Sequence, residues 1–94
     1  VGPHVLWIRQ PHRVTVADAV ALGLTERQAE VAVLLVDGLT NERIAQRLGI
    51  STGTVRAHLD AVFRRLKVSS RAAVVGRLRA GAASRVSTGD GHGG

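Results

Sequence analysis

The sequence predicts an all-α fold of four helices, a three-helix core with a fourth helix added, and three observations agree on it. Apolar residues recur at helical spacing in four segments between Leu24 and Gly81, a serine or threonine stands just before each segment, and a glycine closes the first two. Residues 39–66, LTNERIAQRLGISTGTVRAHLDAVFRRL, read as two short amphipathic helices joined by a tight Leu48-Gly49-Ile50-Ser51 turn. That arrangement is a helix-turn-helix.

The first helix is expected from Thr25 to about Asp37. Thr25 is a good N-cap, Gln28 completes a capping box, and Val31, Leu34 and Leu35 mark one apolar side before Gly38 stops it. The second, Asn41 to Leu48 behind a Thr40 cap, puts Ile44, Ala45 and Leu48 on one face and Glu42, Arg43, Gln46 and Arg47 on the other. It ends at Gly49, where a left-handed turn needs a residue without a side chain. Ser51 caps the third, which runs to about Lys67 and turns Val55, Leu59, Val62 and Leu66 inward. The fourth starts after Ser69 or Ser70 and carries Val74, Val75 and Leu78 on one stripe. With three stripes already forming a core, part of that fourth stripe is free for a partner.

Outside these helices, residues 1–22 read as a linker or the end of an upstream domain, with a Thr15-Val16-Ala17-Asp18 start for one or two helical turns. Residues 82–94 are rich in Gly and Ser without apolar periodicity, which predicts a disordered tail. Residues 23–81 form the domain between them.

At 94 residues and 45% hydrophobic content the chain makes one small domain. A domain of this size buries only about 60 to 65% of its unfolded surface. With 2% aromatics its core is built from Val, Leu, Ile and Ala, Trp7 and Phe63 being its only large rings. The absence of cysteine excludes a disulfide framework and a zinc finger and predicts a reducing, cytoplasmic setting. No apolar run approaches the roughly 18 to 20 residues that span a bilayer, and no signal peptide opens the chain, so no membrane partner is expected. A start at Val1-Gly2-Pro3 with no methionine suggests a piece of a longer protein.

The net charge of +6 is unevenly placed. Residues 25–50 carry Arg27, Arg43 and Arg47 against Glu26, Glu30, Asp37 and Glu42, whereas residues 51–81 carry Arg56, Arg64, Arg65, Lys67, Arg71, Arg77 and Arg79 against Asp60 alone. A basic face confined to the third and fourth helices suits nucleic acid, although a solvated basic surface without a partner has the same composition.

An α-helix fits the major groove of DNA, and the third helix has the side chains for it. Gly53 permits close approach to base edges, Arg56 suits two-pronged binding of guanine, and Ala57 suits a thymine methyl. Asp60 either accepts from cytosine or, as the blander reading, braces Arg56 and Arg64 at spacings of four. Ser51, Thr52 and Thr54 at the start of this helix, and Thr40 and Asn41 at the start of the second, suit phosphate. His58, Arg64, Arg65 and Lys67 also suit the sugar-phosphate backbone, which supplies affinity without sequence choice. His58 has a half-buried packing role as its alternative. The histidines at 4, 12, 58 and 92 have no metal-ligand spacing. No nucleophile with a base, phosphate loop or carboxylate pair is present, so neither an enzyme nor a cofactor is expected.

The segment Leu24 to Val75 closely resembles the LuxR/FixJ/NarL-type C-terminal DNA-binding domain of bacterial transcription regulators. The matching residues are Leu24-Thr25-Glu26-Arg27, Glu30-Val31, Gly38-Leu39-Thr40-Asn41-Glu42, Ile44-Ala45, Leu48, Ile50-Ser51, Thr54-Val55-Arg56, His58, Arg65-Leu66, Val68 and Ser70-Arg71. The resemblance implies double-stranded DNA as partner, the third helix in the major groove, and pairing as a homodimer through the fourth helix at Val74, Val75 and Leu78. It also implies a preceding sensory or phosphoacceptor domain and RNA polymerase as an indirect partner. Gln28 stands where the family usually has Glu, Ala61 where a polar residue is frequent, and Asp60 where some relatives carry a basic residue facing the groove. Competing readings are a sigma-factor-like promoter-binding domain and a protein-interaction module, built on the Val/Leu stripe, with only residual DNA affinity.

Overall fold

The structure, a computed structural model, describes residues 13–93, with side chains through Ser84. Among the described residues there are five helices and no strand: α1 Val16–Ala21, α2 Glu26–Val36, α3 Asn41–Leu48, α4 Thr52–Leu66 and α5 Arg71–Gly93. The four helices expected from the sequence are α2 to α5. No helix among the described residues is long and apolar enough to cross a membrane.

Caps set the starts. Thr25 Oγ1 accepts from the Gln28 amide at 3.2 Å and Gln28 Oε1 accepts from the Thr25 amide at 3.1 Å, so the glutamine satisfies both ends of a capping box without the usual charge. Thr40, Ser51 and Ser70 accept from the amides of Arg43, Thr54 and Ala73 at 3.2, 3.0 and 3.1 Å. Each bond removes one of the donors that a helix start leaves unpaired. The turn between α3 and α4 closes at Gly49, with φ 68° and ψ 36°, where a Cβ would crowd the following carbonyl. Lys67 ends α4 in the same left-handed region at φ 56°, the only described non-glycine residue with positive φ.

Within the stretch 1–22, expected as a linker or the end of an upstream domain, Thr15 caps α1 with Asp18 in a capping box, Ala19 is fully buried, and Val16 and Leu22 pack on the core. Asp18, 4% exposed, accepts from the Thr15 amide and hydroxyl at 2.9 and 3.0 Å. Residues 1–12, with the Val5–Ile8 run and Trp7, lie outside the described residues.

At the other end α5 spans Arg71–Gly93, across the stretch from residue 82 for which composition suggests a tail. Ala82 is 1% exposed and anchors the helix past the expected boundary. Beyond an anchored turn each residue adds one hydrogen bond without a new nucleation cost, which Gly and Ser reduce but do not abolish.

The core of the three expected helices also takes in residues of α1 and α5. It draws Ala19 from α1, Val31, Ala32 and Leu35 from α2, Ile44 from α3, Val55, Leu59, Val62 and Leu66 from α4, and Val74 and Leu78 from α5. Val74 and Leu78 are 0% exposed inside a single chain, so they are unavailable to a partner; of the expected pairing residues only Val75 keeps exposed surface. Each buried Val, Leu or Ile contributes about 1.5 to 3 kcal/mol. A chain this small uses every apolar stripe it has.

Candidate nucleic-acid interface

Helix α4 has two opposed faces. Val55, Leu59, Val62 and Leu66 are buried, while Gly53, Arg56, Ala57, Asp60 and Arg64 are exposed along the other side, where the 3.6-residue repeat puts them in one stripe. The structure therefore groups all the residues expected to touch bases. Space around the Gly53 Cα is open apart from Ser51 Oγ, which a Cβ there would meet at an ordinary 3.8 Å. The glycine is thus not demanded by packing within the chain.

Among the described residues, Asp60 forms no ion pair with Arg56 or Arg64. The brace expected from the spacing of four is not made, and Asp60 stays exposed on the stripe. Such exposed pairs gain little, about 0.2 to 0.5 kcal/mol on a helix, which does not overcome side-chain entropy.

The starts of α3 and α4 present the smaller polar groups. Ser51 and Thr54 share a hydroxyl–hydroxyl bond of 2.9 Å, which holds the first turn of α4, and Thr52 beside them is exposed. Thr40 is exposed and Asn41 half-buried. Next to them an open groove of about 730 Å³ is lined by Gly38, Leu39, Thr40, Arg43, Gln46 and Arg47. His58 is half-buried, as its packing alternative requires, whereas Arg64 and Lys67 are exposed.

Arg65 is exposed as well. Its guanidinium lies over the Cα of Gly23 in the α1–α2 turn, so closely that a Cβ at Gly23 would collide with it. Nine residues from Arg56 is two and a half helical turns and one from Arg64 is about 100°, so Arg65 lies at the flank of the exposed stripe.

One residue was missed by reasoning from the sequence. Arg71, at the start of α5, donates from Nη1 to Asn41 Oδ1 at 2.8 Å and from Nη2 to the Leu39 carbonyl at 3.2 Å, tying α5 to the α2–α3 loop. Its presence in the Ser70-Arg71 pair is visible in the sequence, but nothing in helical spacing links it to a residue thirty positions away.

The match to known proteins covers these elements. The family model for bacterial regulatory proteins, luxR family, matches residues 22–78. The chain is 48% identical over 48 residues to the HTH-type protein YhjB of Escherichia coli (strain K12), covering 51% of this chain and 24% of that protein. It is 39% identical over 56 residues to the transcriptional regulatory protein DesR of Bacillus subtilis (strain 168), covering 60% and 28%. With the nitrate/nitrite response regulator protein NarP of Escherichia coli (strain K12) it shares 46% identity over 50 residues, covering 53% and 23%. The aligned part spans about a quarter of the length of these curated relatives. No solved structure matches the chain. Since the match runs from the end of α1 through the buried part of α5 and takes in the whole helix-turn-helix, the chain belongs to the luxR family of bacterial regulatory proteins.

Proposed function

We propose that this chain is the DNA-binding part of a bacterial transcription regulator, acting in the cytoplasm, and that it binds double-stranded DNA sequence-specifically with α4 in the major groove. The observation that carries the reading is the exposed stripe Gly53, Arg56, Ala57, Asp60 and Arg64 on a helix whose other face is fully buried. Arg56 reads guanine, Ala57 meets a thymine methyl, and the unpaired Asp60 accepts from a base amino group. Thr40, Asn41, Ser51, Thr52, Thr54, His58, Arg64, Arg65 and Lys67 hold phosphates. Two copies pair on half-sites about ten base pairs apart or fewer, through α5 at Val75, with RNA polymerase reached indirectly from the bound dimer. The burial of Val74 and Leu78 weighs against the protein-interaction alternative, which needs that stripe free.

The test is selection from a random duplex library, followed by titration of the winning duplex and a scrambled control at several salt concentrations. A preference of three or more decades, with repeated half-sites, is expected. Equal, steeply salt-dependent binding to both would leave only phosphate attraction and refute sequence readout.

A further inference from the structure

Arg71 and Asn41 meet in a geometry that fixes the direction of an amide. A guanidinium has only donors, so the Asn41 atom at 2.8 Å from Nη1 has to be the carbonyl oxygen, and the Nδ2 group of the same side chain points away from Arg71. Nδ2 has no hydrogen-bond partner among the described residues. The second bond, Nη2 to the Leu39 carbonyl at 3.2 Å, holds the guanidinium against the loop just before the α3 cap. Beside it, Thr40 Oγ1 already accepts from the Arg43 amide, which leaves its proton for donation outward. Two neighbouring donors, the Thr40 hydroxyl and the Asn41 amide, are thereby presented at one end of α3.

We propose that Arg71 is a positioning residue for DNA binding: by occupying Oδ1 of Asn41 it turns that residue's Nδ2 outward as a hydrogen-bond donor to a backbone phosphate. This rests on the DNA-binding reading and adds to it a residue from α5, outside the helix-turn-helix. The role needs arginine, since both contacts come from one planar fork, while a lysine ammonium is a point charge that cannot reproduce the pair of directions.

Titration of a labelled duplex, the one recovered by library selection with the unaltered chain, and of its scrambled control tests the role. Asn41→Ala and Arg71→Lys each weaken binding to both duplexes by about tenfold, leaving sequence preference unchanged, because a phosphate contact is lost. Arg71→Lys adds no further loss in the Asn41→Ala background, since Arg71 works through Asn41. Asn41→Asp serves as the variant that keeps the fold: its carboxylate retains the Arg71 contact, so its melting temperature stays at or above that of the unaltered chain, yet its binding falls at least as far as that of Asn41→Ala. An undiminished Arg71→Lys loss in the Asn41→Ala background, or unaltered binding by Asn41→Asp, overturns the proposal while DNA binding stands. Failure of the unaltered chain to bind either duplex removes both readings together.

Discussion

At the scale of single residues, the exposed stripe of α4 separates side chains kept for contact from those kept for packing. Arg56 is exposed and has no ion pair among the described residues, so its removal leaves the domain intact. Arg56→Ala is expected to cost about 1 to 3 kcal/mol on a selected site and to relax base choice at one position, read by repeating the library selection with the variant. Gly53 gives an opposite pair of effects. A methyl there meets only ordinary contact, so Gly53→Ala should stabilise the free domain by about 0.5 to 1 kcal/mol through reduced backbone entropy. The same methyl stands between α4 and a groove floor and should weaken duplex binding. A thermal melt and a titration on one sample check both signs, and unchanged affinity would place Gly53 off the interface.

At the scale of elements, α5 has two sides with different expectations. Leu78 lies within the core of one chain, so Leu78→Ala should lower stability by about 2 to 5 kcal/mol even at concentrations where the chain is monomeric. A purely interfacial Leu78 would leave the monomer's denaturant midpoint where it was. Val75 is only partly buried, and Val75→Asp should impair paired binding, since two carboxylates would meet across a two-fold axis, with smaller effect on one half-site. Survival of two-site binding in that variant would show that α5 does not pair through Val75. The cap of α2 offers a local check: Thr25→Ala removes the acceptor for the Gln28 amide and should cost about 1 kcal/mol, or roughly 4 to 8 °C in melting temperature for a domain of this size.

At the scale of the whole molecule, α1 and α5 join the helix-turn-helix into one core. Removing residues 1–21 should therefore lower the melting temperature of the remainder, because Ala19, Val16 and their contacts leave an apolar gap over α2 and α5; a linker would be removed without effect. The positions of α2, α3 and α4 and their caps at Thr25, Thr40 and Ser51 were legible in the sequence, because capping and amphipathic spacing act within a few residues of chain. So was the outward grouping of Gly53, Arg56, Ala57 and Asp60, which follows from helical periodicity once Val55 and Leu59 are inside. The sequence by itself thus determined the local elements, the basic face and the family resemblance. Only the tertiary structure decided that Val74 and Leu78 turn to their own core, that Arg65 lies over Gly23, and that Arg71 reaches Asn41. Those outcomes depend on which helix faces meet across thirty or more residues of chain, and an apolar stripe or an arginine is the same in sequence whether its partner is its own fold, another copy or a phosphate.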